Sequence, residues 1–364
     1  MYDLLIRNAQ LLDGTGQPAY KGDIAIEQGR IAAIGDLSAA TAKQSIDAAG
    51  HIACPGFIDS HTHSDLTIAL DGRALSSLAQ GITTQVMGNC GVSAAPTRDF
   101  APYHGPLDPA MTRSLTCDWE HFGEYFQRLE AQGLGTNTAT LVGHGNIRVA
   151  AMGYDDRPPI PAEMERMKEL TARAMEDGAL GLSSGLAYAP GPYAALDELV
   201  ELGKVIGEYN GIYTSHIRNQ TESIAEAVGE VIAVGEQAKV AAHVSHMQPG
   251  SPMLGATRDL LATIDQKRRE GHDISCDAIP YTIGSTTLKS LLPPWALDGG
   301  DEALIARLKD PAAREKIKQD TLTHGAESGG SRKRNLVKDG TWDKIWLGSA
   351  EKNAELAGLS FDEI

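Results

Sequence analysis

Five histidines and one cysteine, residue types that hold metal ions, sit where short apolar runs end: His61, His63, Cys90, His144, His216 and His246. His61 and His63 close the run in Gly56-Phe57-Ile58-Asp59-Ser60-His61-Thr62-His63. On an extended strand, residues two apart project to the same side, so these two imidazoles can share one ion. A His-x-His pair alone also describes two half-exposed side chains at a strand-to-loop junction. The remaining residues favour the metal. Cys90 lies in Gly88-Asn89-Cys90-Gly91, His216 in Ser215-His216-Ile217-Arg218 and His246 in Ser245-His246-Met247. Imidazole together with thiolate selects zinc over calcium or magnesium. A catalytic zinc keeps a position open for water and lowers its pKa to about 7, which makes hydrolysis of an amide or related bond the reaction class. A carboxylate at another strand end should move the protons, and the sequence offers no convincing one. His243, three residues before His246, is expected on the opposite strand face and reads as structural. Cys54 and Cys276 read as core, and Cys117 has no role.

The elements that must position these residues alternate. Strands are expected at Ile52–Asp59, Ile82–Met87, Thr138–Val142, Leu180–Ser184, Ile212–Ser215, Val240–Ser245 and Ile274–Asp277. Between them, apolar residues at helical spacing predict helices over Glu163–Asp177, Glu198–Tyr209, Thr221–Gly235 and Ala256–Glu270. That alternation predicts βα units and a parallel sheet, in the manner of a (β/α)₈ barrel, with every candidate ligand at a C-terminal strand end. Seven strands are found where a barrel has eight, so the chain reads as cut short before strand eight. Residues 1–50 read as a small separate β unit, and 51–364 as the barrel portion. From Tyr281 to Trp346 the pattern turns irregular and Gly/Pro-rich, as expected for a lid-like insertion. Its basic run, Arg332-Lys333-Arg334, reads as a solvated loop, with helical pattern around Asp310–Asp320.

The formal net charge of −16 argues against nucleic acid or an anionic membrane surface as partner. No apolar run reaches membrane-spanning length and no signal peptide is read at the start. The four cysteines are scattered without a CxxC pair, which suits a reducing, cytoplasmic compartment.

The ordered set of motifs resembles the amidohydrolase superfamily, and within it the N-acyl-D-amino-acid deacylases (D-aminoacylases). The resemblance rests on Pro55-Gly56-Phe57-Ile58-Asp59-Ser60-His61-Thr62-His63, Gly81-Ile82-Thr83-Thr84, Gly88-Asn89-Cys90-Gly91, Gly143-His144-Gly145, Gly185-Leu186-Ala187-Tyr188-Ala189-Pro190-Gly191, Ser215-His216-Ile217-Arg218, Ser245-His246 and Pro280-Tyr281-Thr282. It implies a TIM-like metal-dependent hydrolase barrel beside a small β-sandwich. It implies one tight Zn²⁺ on Cys90, His216 and His246, with His61 and His63 supporting it or holding a second, weaker ion. Cys90 would replace a carboxylated strand-four lysine, and Gly181-Leu182-Ser183-Ser184 indeed carries none. Tyr188 and Tyr281 would line the substrate pocket with His144, and Arg218 would pair with a substrate carboxylate or with a neighbouring acid.

Two departures stand out. The family's general acid/base aspartate follows strand eight, so it is expected after Ile364 and is absent from this chain. A lysine common two residues after the strand-six histidine is Gln248 here, which favours neutral D-residues over D-glutamate. The expected activity is zinc-dependent hydrolysis of N-acyl-D-amino acids. The alternatives are a ring-opening amidohydrolase acting on hydantoins or dihydropyrimidines, and a non-catalytic metal-binding remnant.

Overall fold

The computed structural model describes residues 1–97, 115–324, 333–350 and 352–364. The side chains of the basic run Arg332-Lys333-Arg334 lie outside the described set. The chain divides into two compact units, Met1–Phe57 with Gly81–Thr83, and Ile58–Gln80 with Thr84–Ile364. The first unit therefore runs a few residues past the expected boundary at 50 and takes in a short later segment.

The first unit is a sheet of β1 (Tyr2–Leu11), β2 (Tyr20–Glu27), β3 (Arg30–Gly35), β4 (Ala42–Asp47) and β5 (Ile52–Ala53). Its order is β3-β2-β1-β4, with β5 beside β1. Strands β2 and β3 pair antiparallel around Gln28-Gly29, both at positive φ (51° and 73°), a conformation suited to a tight hairpin. Alternation places Leu5, Ala9, Leu11 and Ala25 inside. Among the described residues this is one sheet, where the resemblance implied a sandwich.

The second unit holds the parallel strands. They are β6 (Phe57–Asp59, which begins in the first unit), β7 (Ile82–Met87, likewise), β8 (Asn137–Thr140), β9 (Val142–Gly143), β10 (Gly181–Gly185), β11 (Ile212–His216), β12 (Ala241–Val244) and β13 (Ile274–Cys276). One sheet is ordered β6-β7-β8 and the other β13-β12-β11-β10-β9, and β8 passes into β9 through Leu141. The expected strand Ile52–Asp59 is thus two strands, because Pro55-Gly56 interrupts it and β5 pairs with β1. All five residues of β10 are buried, as befits a strand covered on both faces. Helices Pro161–Glu176, Leu196–Gly207 and Ile224–Ala238 bury Met167, Leu170, Leu199, Ile206, Val231 and Val234 in this core.

Past Cys276 no further strand follows among the described residues, only an isolated bridge between Trp346 and Ser360. The segment after Tyr281 is more regular than expected. It contains helices Gly300–Lys309, Pro311–His324 and Lys333–Lys338. It touches loops that follow the strands: Tyr193 Oη donates to Pro294 O at 2.8 Å, and Asn335 Nδ2 donates to Ser251 O at 3.1 Å. Among the described residues no helix is long and apolar enough to cross a membrane.

Candidate metal centre

Cys90 stands at the centre. It follows β7 in a turn where Gly88, Cys90 and Gly91 all have positive φ (74°, 55° and 76°). The turn lies against β10: a Cβ added to Gly185 would stand 2.0 Å from the Cys90 carbonyl oxygen. Only glycine fits there, which explains the motif glycine at that strand end.

The Cys90 Sγ lies 3.3 Å from His61 Nε2 and 3.4 Å from His246 Nε2. His63 stands against His61, and His216 against His246, which brings both rings to the same centre. Ligating atoms of His61, Cys90 and His246 all lie within 4.8 Å of one another. The rings interlock, with centroids 4.3 Å apart for His216–His246, 5.0 Å for His61–His246 and 5.5 Å for His61–His63. Strands β6, β7, β11 and β12 thus deliver one thiol and four imidazoles to one place.

The electrostatics follow from this crowding. Burial would push the Cys90 thiol up, but the His246 charge and the hydrogen bonds from His216, His246 and His61 bring it well below its ordinary range. Burial, then repulsion from His246, takes His216 down to about 4, leaving a neutral ring. Burial would also lower His61, but its hydrogen bonds to Asp277 and Cys90, with their charges, lift it to about 10. Burial alone pushes Asp65 up to about 6, against the pull of His63.

Asp277, which sequence reasoning missed, completes the centre. It follows β13. Its Oδ2 accepts from His61 Nδ1 at 3.1 Å and stands 3.2 Å from His243 Nε2, while Oδ1 accepts from the His246 backbone N–H. Burial would raise this carboxyl, but the bonds from His243 and His61 hold it far below its usual range. His243 is accordingly part of this assembly and does not merely pack, with Nδ1 2.8 Å from Ser275 Oγ. The alternation rule fails here because β12 ends at Val244 and His246 turns to φ 34°. Gln220 was missed as well; its Nε2 lies 3.0 Å from both His246 Nδ1 and His246 O.

A model of the amidohydrolase family matches residues 44–260, more than half of the chain. The chain belongs to the amidohydrolase family. It is 42% identical over 292 residues to N-acyl-D-glutamate deacylase of Alcaligenes xylosoxydans xylosoxydans, covering 79% of this chain and 58% of that protein. It is 37% identical over 289 residues to D-aminoacylase of the same organism, covering 79% and 59% respectively. Among solved structures it resembles N-acyl-D-glutamate deacylase from Bordetella bronchiseptica, complexed with zinc and a phosphonate inhibitor described as a mimic of the reaction's tetrahedral intermediate. That match has a TM-score of 0.70 and 41% identity, and covers 77% of this chain and 59% of that one. The chain thus spans under two thirds of the length of these relatives.

The other expected site residues of this amidohydrolase are placed differently. His144 is fully buried at the start of helix His144–Met152, with Nε2 2.7 Å from Glu198, which also pairs with buried Arg148. It packs inside the protein against Glu198. Arg218 grips Glu230 at 3.1 and 2.9 Å and donates to the carbonyls of Pro192 and Ala194, both at 2.8 Å. Its fork pins the loop after Tyr188, the ion-pair alternative for that residue. Tyr188 does reach the centre, with its ring edge-on to His216 at 4.6 Å. Tyr281 is 71% exposed.

Proposed function

We propose that this amidohydrolase cleaves the amide bond of N-acyl-D-amino acids, giving a carboxylate and a free D-amino acid. The observation that carries the reading is the convergence of Cys90, His61, His63, His216 and His246 at one point. The donor set fits zinc, since a buried cysteine sulfur beside imidazole is a soft ligand set. Cys90, His216 and His246 would hold one tight Zn²⁺, with His61 and His63 supporting it or holding a second, weaker ion. When bound, zinc supplies a Lewis acid for the scissile carbonyl and an activated water.

The chain's own residues then orient the substrate and exclude water. Tyr188, beside His216 and hydrogen-bonded to Thr286 at 3.4 Å, offers a ring face and a hydroxyl at the rim. Asp277, held ionised by two imidazoles, accepts hydrogen bonds and has no proton to give. Gln248 brings no charge near His246, and its Nε2 donates to Ile279 O at 2.7 Å, which favours neutral D-residues. The identity to an N-acyl-D-glutamate deacylase pulls the other way. We read the parallel strands β6 to β13 as part of a TIM-like barrel and the Tyr281–Trp346 segment as a cover over its strand ends. Four unbridged cysteines support a cytoplasmic location.

The test is a panel run with the zinc-loaded product of the whole gene: N-acetyl-D-methionine, N-acetyl-D-glutamate, their L-forms and a hydantoin. Turnover confined to D-forms supports the proposal. Turnover of L-forms alone, or of the hydantoin alone, overturns it, and faster turnover of the D-glutamate compound reverses the side-chain reading.

A further inference from the structure

The residues gathered around Cys90 do not hold themselves in place. His246 has φ 34°, a left-handed backbone that non-glycine residues adopt at a penalty and that needs local support. That support comes from both sides of the peptide. The Asp277 carboxylate accepts the His246 N–H, and Gln220 Nε2 donates to the His246 carbonyl at 3.0 Å. The Asp277 main chain continues the link, taking the Met247 N–H at 2.9 Å and donating to Val244 O at 3.2 Å. The same carboxylate reaches across to His61, 216 positions earlier in the chain. An ionised carboxylate only accepts, so a His61 ring bonded to it through Nδ1 carries its hydrogen there. Nε2 is then the ring atom left to take a metal ion in place of its proton, and it faces Cys90 at 3.3 Å. His243 Nε2, at 3.2 Å, sits on the same oxygen and limits how far the carboxylate can swing.

We propose that Asp277 is a positioning residue of the metal centre, fixing the His61 ring through Nδ1 and the His246 turn through its backbone N–H. One carboxylate thereby sets two candidate ligands from β6 and β12 at once. The inference rests on the metal reading above. Carboxylates that bond the far nitrogen of a ligating histidine typically contribute about 10–100-fold to metal affinity.

The experiment is zinc affinity by chelator competition, measured for the wild type, Asp277→Asn, His61→Ala and the double variant. Wild type that takes up no zinc would overturn the metal reading itself. With zinc bound by the wild type, Asp277→Asn is expected to weaken affinity about 10–100-fold. In the His61→Ala background the same change should cost clearly less, because part of its effect runs through His61. Unchanged affinity in Asp277→Asn, or an equal loss in both backgrounds, overturns the inference. Where the Asn variant does not fold, the imidazole ¹⁵N spectrum of the zinc-loaded wild type decides. His61 bound through Nε2 with hydrogen on Nδ1 supports the proposal, and the reverse tautomer contradicts it.

Discussion

Cys90 and His246 lie 156 positions apart, yet Cys90 Sγ and His246 Nε2 meet at 3.4 Å and both residues have positive φ, 55° and 34°. Two non-glycine residues in the left-handed region, facing each other at the ends of β7 and β12, mark where the fold accepts local strain for a site. Cys90→Ala removes the sulfur and leaves the imidazoles. We expect bound zinc, measured by metal analysis after dialysis, to fall below about a tenth of wild type, because loss of one of three protein ligands removes several kcal/mol of binding. Retention of a full equivalent would remove Cys90 from the ligand set.

Gly185 gives the packing counterpart. A Cβ there would stand 2.0 Å from the Cys90 carbonyl oxygen and 2.8 Å from its carbon, with rigid backbone on both sides. Gly185→Ala should therefore displace the Cys90 turn, costing about 1–3 kcal/mol of stability or more and weakening zinc binding with it. A urea midpoint and zinc affinity both equal to wild type would show that the turn yields freely.

The buried trio His144, Glu198 and Arg148 should matter for stability and its pH dependence. Arg148 and His144 are fully buried and Glu198 nearly so. Glu198→Ala leaves the Arg148 charge uncompensated and is expected to cost about 3–5 kcal/mol in urea unfolding. Burial would raise the Glu198 carboxyl, but the hydrogen bond from His144 and the charges of His144 and Arg148 bring it below its ordinary 4.5. A depressed folded value means the contribution is complete above 4.5 and is lost as pH falls through the lower folded value. Wild type should thus lose stability below 4.5 more steeply than Glu198→Gln, and parallel curves would contradict this assignment.

Arg218 separates structure from recognition. Its donors are committed to Glu230, Pro192 and Ala194. Arg218→Gln should lower the unfolding midpoint, and activity should fall only as far as the loop after Tyr188 loosens. A large rise in KM for the substrate carboxylate at unchanged stability would restore the substrate-binding role.

Much of this was legible in one dimension. Short strand-like runs alternating with helical spacing made β7, β10, β11 and β12 readable to within a residue or two at each end, and the candidate ligands at their ends with them. Asp277 was not readable, because an aspartate after a short run looks like any solvated carboxylate until His61, 216 positions away, is seen beside it. His243 was misjudged because strand alternation was carried past Val244, where the strand has ended. His144 shows that a histidine at a strand end can also open a buried helix, which spacing alone does not reveal. After Tyr281 the helical pattern around Asp310–Asp320 marks helix Pro311–His324, while Gly300–Lys309 and Lys333–Lys338 escaped in a stretch whose Gly and Pro resemble loop composition.

Zinc-edge X-ray absorption of the zinc-loaded protein tests the central claim most directly. The expected shell contains one sulfur at about 2.3 Å with nitrogen or oxygen at about 2.0–2.1 Å, and the sulfur vanishes in Cys90→Ser. A shell of nitrogen and oxygen alone in the wild type would contradict a centre built on Cys90.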